Sequence, residues 1–352
     1  MKICNIGKII TEKIDGSTLT HDNYISTENM MSNCGGVVAA ASVPSTKVTC
    51  FAKCDVLLSN IRPYFKKVWF ARFNGGCSND VICIRANEKD CLAQYLYYAL
   101  STDSFIDSFS ASSKGTKMPR GDKNALLSYE IPDRTLDEQQ HIVDILGSID
   151  DFIENNEKIA ADLEDYAISK YQELTRGIRD FIPLGEIVDI YDSKRKPLSS
   201  RERESRKGDY RYYGATGVLD YVNDYLFDGE YVLLAEDGTV IDENGYPIVQ
   251  LVTGQFWVNN HAHIMQAKAG YTNYSLYVAL KKLSVNTAVT GAVQLKINQA
   301  NLCALELPKI DENELSAFNQ DIEPLFLKMI HIRAEIEKLN ELKQLYLHKF
   351  FG

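Results

Sequence analysis

The chain has no apolar run approaching the roughly 20 residues that a membrane-spanning helix needs, and its first residues lack the basic-then-apolar layout of a secretory leader. It reads as a cytoplasmic protein. Its eight cysteines contain no Cys-x-x-Cys pair. Seven of them (Cys4, Cys34, Cys50, Cys54, Cys77, Cys83 and Cys91) crowd into the first half and Cys303 stands alone in the second. Without a repeated ligand spacing they read as small buried thiols rather than a zinc site.

Signatures of catalysis are missing as well. There is no P-loop, no G-x-G-x-x-G after a strand, no H-E-x-x-H and no G-x-S-x-G. The Asn/Asp-Pro-Pro-aromatic tetrapeptide expected of an amino-methyltransferase is also absent. His261 and His263 share a strand face but have no local partner at metal-ligand spacing, so they read as structural or ligand-touching. Asp150-Asp151 and Glu236-Asp237 are sequence neighbours, not an arranged acid/base pair. We therefore expect no catalytic, cofactor or metal site in this chain.

What the chain does have is an internal repeat. Lys114-Gly115-Thr116-Lys117 through Ile131-Pro132 is answered by Thr290-Gly291-Ala292-Val293 through Leu307-Pro308, at an offset of 176 in a chain of 352 residues. Ile6-Gly7-Lys8-Ile9-Ile10 echoes Leu184-Gly185-Glu186-Ile187-Val188, and Leu96 to Leu100 echoes Leu276 to Leu280. A duplicated unit implies a pseudo-twofold arrangement presenting two similar surfaces.

The net charge of −10 is unevenly placed. Residues 134–180 carry 12 acidic and 5 basic side chains, and residues 309–352 carry 8 and 6. The rest is close to neutral and holds two basic clusters. One comprises Arg62, Lys66, Lys67 and Arg72; the other Lys194, Arg195, Lys196, Arg201, Arg203, Arg206, Lys207 and Arg211.

Each repeat opens with β-like segments, Asp55 to Ser59 and Val81 to Arg85 in the first, Tyr231 to Ala235 and His261 to Met265 in the second. A short helix follows in each, Leu92 to Leu100 and Tyr274 to Leu283. After Pro132 and Pro308 the period changes. Ile142, Ile145, Ile149, Phe152, Ile159, Leu163 and Tyr166 step by threes and fours, with Asn156 on one seam position. Phe318, Ile322, Leu325, Met329, Ile332, Ile336, Leu339 and Tyr346 do the same, with Lys343 interrupting. These spacings predict coiled-coil seams on rods of about 60 Å. The fold class is α+β: two β-rich domains separated by a pair of long antiparallel helices, acting as a caliper.

Polar clusters at the ends of the β segments carry the binding chemistry. They are Ser59-Asn60-Ile61-Arg62, Ser78-Asn79-Asp80, Val258-Asn259-Asn260-His261 and the two repeated glycine loops. Arg, Lys, Asn, Gln, Ser and Thr are the side chains that read base edges and phosphates, and Gly115 and Gly291 allow close backbone approach.

At these residues the chain resembles the specificity subunit of type I restriction–modification enzymes. Ser112 to Arg120 ahead of Ile131-Pro132, then Leu136-Asp137-Glu138-Gln139-Gln140 and an Ile-rich helix, resembles a first target-recognition domain entering its spacer. Thr290-Gly291 with Lys296-Ile297-Asn298-Gln299, then Leu307-Pro308 and a terminal helix, resembles the second copy. The second copy departs at Ala292-Val293-Gln294, where the first has Thr116-Lys117-Met118.

The resemblance implies recognition domains at 1–133 and 181–308 and spacer helices at 134–180 and 309–352. It further implies a bipartite double-stranded DNA target read in the major groove. Two methyltransferase subunits would bind S-adenosylmethionine, and two restriction/translocase subunits would use ATP and Mg. A methylation-only or phage-defence complex remains open, as does an acidic-rod scaffold or inhibitor without DNA binding. Within the implied interface, Lys114, Lys117, Arg120 and Lys296 are expected on phosphates, and Asn60, Arg62, Asn79, Asn259, Asn260 and Gln294 nearer base edges. Ser78, Gly115, Thr116, Lys194, Arg195, Lys196, His261, Gly291 and Asn298 complete the set. Ile153, Ile168, Leu315, Phe326 and Leu347 are expected on outer helix faces, docking partner subunits.

Overall fold

The computed structural model describes residues 1–115, 118–242, 244–291 and 294–352. The chain divides into two compact units, Met1–Asn155 with Ile336–Gly352, and Asn156–Glu335. Each unit thus takes the first half of one long helix and the second half of the other.

In the first unit an antiparallel sheet runs in the order Gly7–Ile9, Val81–Ala86, Val56–Ser59, Val68–Phe70. In the second unit the order begins Val188–Ile190, Ala262–Ala267, Phe227–Ala235, Val249–Val258. It then continues into Lys207–Tyr213 and the edge strand Val218–Val222. The first unit has a separate four-stranded sheet instead, built from Lys13–Asp15, Lys47–Phe51, Gly75–Cys77 and Tyr24–Ile25.

The central strands lie beneath the helices Ala93–Leu100 and Asn273–Lys281 and are buried on both faces, as their unbroken apolar runs require. The pairings fix the repeat more finely than the sequence echoes do. Gly7 pairs with Ala86 and Val188 with Ala267, so Gly7 corresponds to Val188 and not to Gly185. Gly185 lies inside the short helix Leu184–Ile187, whose counterpart is Ile3–Ile6.

The central helix, Leu136–Leu174, starts after Pro132 at a capping box. Thr135 Oγ1 accepts from the Glu138 amide at 3.3 Å, and the Glu138 carboxylate accepts from the Thr135 amide at 2.8 Å. Its end is marked by Thr175, whose hydroxyl donates to the Tyr171 carbonyl, and by Gly177 at φ +83°. The C-terminal helix, Glu312–Phe351, runs through Pro324, which removes one helical N–H.

The two helices pair antiparallel within each unit. In the first, Lys343 reaches Asp150, and Leu347 shares a core with Ile142 and Leu146. In the second, Tyr171 packs on Phe318 at 5.8 Å between ring centroids, and Lys170 meets Asp321.

The C-terminal helix buries or partly buries its expected seam from Phe318 to Tyr346, whereas the central helix departs from its own. Ile142, Leu146, Ile149, Ala167, Ile168 and Tyr171 are buried on the central helix, with Ile153 and Leu163 partly covered. Phe152, Ile159 and Tyr166 are 63%, 45% and 52% exposed. The buried stripe still repeats every seven residues, but its second position lies four residues after the first (Leu146, Ile153, Ala160, Ala167) and not three, which leaves Phe152, Ile159 and Tyr166 outside. Burial also overturns the docking expectation. Ile168, Leu315, Phe326 and Leu347 are core residues between 0% and 5% exposed, and Ile153 is half-buried. Among the described residues no helix is long and apolar enough to cross a membrane.

Candidate nucleic-acid interface

In the first unit the strand Val56–Ser59 delivers the chain to Asn60, where three loops converge. The Asn60 amide donates to the Asp80 carbonyl at 2.8 Å, and the Gly121 amide donates to the Asn60 carbonyl at 3.1 Å. The Arg62 amide donates to the Pro119 carbonyl, and Lys114 and Arg120 exchange two backbone hydrogen bonds at 3.0 Å. Segments 60–63, 78–80, 114–115 and 118–121 are thereby stitched into one surface. It carries the sequence-predicted residues Asn60, Arg62, Ser78, Asn79, Lys114, Gly115 and Arg120.

The second unit repeats this junction bond for bond. Ile61 bridges Arg120, and Asp237 bridges Lys296; Lys114 bridges Arg120, and Thr290 bridges Lys296. The Ile297 amide donates to the Glu236 carbonyl as Gly121 does to Asn60. All of these pairs are related by the same offset of 176. Gly115 and Gly291 occupy the loop turns at φ +99° and +92°, a conformation that favours glycine. At Gly291 an added Cβ would sit 2.2 Å from the Gln294 carbonyl oxygen, so nothing larger fits there.

The side chains sort into two classes. Arg62, Lys196, Asn260 and Gln294 are exposed, and none of these four donates or accepts a side-chain bond among the described residues. Arg62 also holds a left-handed φ of +49°. Lys114 and Arg120 are exposed but leashed, to Asp122 at 3.3 Å and to Asp80 at 2.8 Å. Asn79 accepts from Lys13 at 2.9 Å, and Lys194 lies 4.7 Å from the Tyr191 ring centroid.

Others serve the scaffold. Asn60 and Asn259 are only 8% and 5% exposed, so neither presents an edge to a base. Asn259 Oδ1 accepts from the His261 amide at 2.8 Å, while Asn60 Oδ1 has no partner among the described residues. Ser78 is half-buried, with its amide on the Ile25 carbonyl at 2.8 Å. Asn298 caps the helix Gln299–Cys303 through the Asn301 amide at 2.8 Å. Thr116 and Lys117 lie outside the described residues.

Arg195 is likewise structural. Its guanidinium meets Glu236 at 2.5 Å and Asp192 at 3.6 Å and donates to the Ala262 carbonyl at 2.9 Å. Burial pushes the Glu236 carboxyl up, but its bonds from Arg195 and Lys296 outweigh this and hold it below the ordinary carboxylate range. Lys296 reaches Glu236 at 3.1 Å, and His261 reaches Asp237 at 2.5 Å. Asp192, Glu236 and His263 place ligand-type atoms within 4.8 Å of one another, but Arg195 and Lys296 already balance their charge. The reading by basic residues missed these acids; the signal was Asp80 and Glu236 standing directly at strand ends.

The basic clusters are partly neutralised in the same way. Lys66 pairs with Asp103, Arg72 with Glu154, and Arg203 and Lys207 with Asp220. All eight cysteines are free thiols.

Comparison with known proteins gives this geometry its setting. The family model for the type I restriction modification DNA specificity domain matches twice, at residues 3–165 and 180–344. A Haemophilus influenzae chain carrying the name of a type I restriction enzyme specificity subunit is 39% identical over 126 residues, 36% of this chain and 32% of that one. The type I restriction enzyme MjaIX specificity subunit of Methanocaldococcus jannaschii is 24% identical over 299 residues, 74% of this chain and 69% of that one. The alignment thus spans about a third of the first relative and two thirds of the second. The crystal structure of a type I restriction–modification S subunit from M. genitalium shares the fold with a TM-score of 0.56 at 17% identity, covering 100% of this chain and 95% of that one. With both halves of its sequence matched by one model, the chain belongs to the type I restriction modification DNA specificity domain family.

Proposed function

We propose that this chain is the sequence-reading subunit of a type I restriction–modification assembly. Each unit reads one half of a bipartite duplex target, and methylation and cleavage are carried out by partner subunits. The observation that carries this reading is the duplicated junction, in which an exposed Arg or Lys loop is stitched to a strand end by the same backbone bonds in both units. A fold that rebuilds one surface twice in one polypeptide suits a target with two different halves. Lys114, Arg120 and Lys296 are suited to phosphates, because a salt link to a carboxylate exchanges readily for one to a phosphate. Arg62, Asn79, Asn260 and Gln294 are suited to base edges.

Two methyltransferase subunits holding S-adenosylmethionine, and two ATP- and Mg-dependent translocase subunits, are the partners this role requires. Co-expression with cognate methyltransferase subunits, followed by sequencing of methylated adenines, tests the proposal. A single interrupted motif, with its halves about one helical turn apart, is the expected result. A chain that shifts no random duplex at low salt, and directs no methylation, would instead be an acidic scaffold.

A further inference from the structure

Among the described residues His263 is a buried histidine, 1% exposed, set into the sheet directly behind the second junction. Its Nδ1 lies 2.6 Å from an Asp192 carboxylate oxygen and its Nε2 lies 2.8 Å from the Ile297 carbonyl oxygen. Both partners are acceptors. A neutral imidazole carries one N–H and one lone pair, so either tautomer would aim a lone pair at an oxygen; only the imidazolium satisfies both. Neither acceptor has room to turn away. The other Asp192 oxygen takes the Ile264 amide at 2.9 Å, and Ile297 is held by its own amide on Glu236.

Burial pushes the Asp192 carboxyl up, but the His263 hydrogen bond and charge, the Ile264 amide and Arg195 together bring it below the ordinary range, so it remains a carboxylate. Among the described residues, Glu236 lies 3.8 Å from Nδ1 with Arg195 and Lys296 bound to it, and the Cys303 thiol is pushed up by burial and by the Asp192 charge.

The first unit lacks this device. Leu58 pairs with Ile82 where Leu234 pairs with His263, so the equivalent position is an isoleucine. The equivalent of Ile297 is Gly121, pressed against the Phe109 ring. One junction is held by packing, the other through an ionisable ring.

We infer that His263 is a proton-gated positioning residue for the second reading surface, its imidazolium tying the Leu295–Ile297 strand, and with it Lys296, to the sheet. This rests on the proposed DNA-reading role. As pH rises and the ring loses its proton, the tie is lost and selectivity for the second half-site falls, while the first half-site is read as before.

The test combines two measurements on the full chain. Nitrogen NMR of the His263 ring, with amide exchange of Leu295–Ile297, reads protonation and anchoring without DNA. Both ring nitrogens protonated while the strand is protected, with protection lost together with the proton, is the expected result. A neutral ring, or protection indifferent to its titration, overturns the inference whether or not the chain binds DNA. Duplexes with one or the other half of the methylated motif scrambled then read selectivity on either side of the ring's measured titration. Selectivity for the second half should fall about tenfold, the scale of one buried charged hydrogen bond, and the first should not change. His263→Gln should sit at the lower value at every pH. Equal pH dependence at both halves, or a dependence that survives in His263→Gln, counts against the gate. No DNA binding at any pH, with the ring charged and the strand anchored, sinks the proposed function alone.

Discussion

Lys343 on the C-terminal helix places its ammonium 2.5 Å from Asp150 on the central helix, and the other Asp150 oxygen accepts from the Tyr98 hydroxyl at 2.9 Å. The pair is mostly covered, at 14% and 21% side-chain exposure. A lysine in an apolar helix seam costs stability unless it meets a carboxylate, and it meets one at only one register of the two helices. Removing Lys343 leaves Asp150 in a half-dry site with only Tyr98. Lys343→Ala should therefore destabilise the protein by about 1–3 kcal/mol. A Lys343/Asp150 double-mutant cycle by thermal or urea unfolding should return a coupling of about 1–2 kcal/mol.

The two repeated glycines should respond unequally. Both have positive φ, but an added Cβ meets nothing nearer than 3.5 Å at Gly115 and would lie 2.2 Å from backbone at Gly291. Gly115→Ala should cost only the left-handed backbone penalty, about 1–2 kcal/mol. Gly291→Ala must also move the Gln294 peptide, so it should cost more and weaken recognition of one half-site selectively. Melting temperatures and half-site footprints of the two variants decide this.

If Lys114 and Lys296 hold phosphates, each alanine variant should flatten the dependence of log binding constant on log salt by about one unit, with little change in the preferred sequence. The double variant should flatten it by about two. Arg62→Ala should instead keep the salt slope nearly intact and relax one base position, at a cost of about 1–3 kcal/mol for the preferred base. Titrations at several salt concentrations, with a randomised duplex pool, separate the two outcomes.

The buried thiols set an alkaline limit. Burial pushes Cys77 and Cys91 up to about 12, whereas an unfolded thiol ionises near 8.5. Below that value both states are protonated and pH has no effect through these groups. Above it the unfolded chain releases the protons and the folded chain keeps them, so stability declines from about pH 8.5 towards 12. Melting under reducing conditions from pH 7 to 10 should show this decline. Thiol labelling of the folded chain should modify the exposed Cys4 first and spare Cys77, Cys83 and Cys91.

The repeat, the strand ends and the short helices were legible because each leaves a local mark: an apolar run, a glycine at a left-handed turn, a proline closing the lobe. The junction itself was half legible. Lys114, Arg120 and Lys296 were picked out as cations, but Asp80 and Glu236, which hold the last two, come from distant segments, and no local spacing announces them; only Asp122 is a neighbour in the chain. Arg195 shows the cost of this. Counted among surface bases, it is a strut inside the second unit. Asn60 and Asn259 fail for the same reason, since a polar residue after a strand faces inward or outward according to loops that pass over it.

The C-terminal helix seam lies where the sequence put it, from Phe318 to Tyr346, but half of the central one was misread, and this has a direct test. A stripe that repeats every seven residues can take its second position three or four residues after the first, and the central helix offers apolar residues at both, Phe152 and Ile159 three on, Leu146 and Ile153 four on. The structure puts Ile149 in the core at 6% exposure and Phe152 outside at 63%. Ile149→Ala should cost about 2–4 kcal/mol as a core truncation, and Phe152→Ala should fall within about 0.5 kcal/mol of wild type. Under the expected seam both would be core positions and the phenylalanine would be the costlier loss. Urea unfolding of the two variants therefore distinguishes the registers by the order of their effects alone. Phe152→Ala that leaves stability intact while weakening methyltransferase assembly would place partner docking on the exposed face.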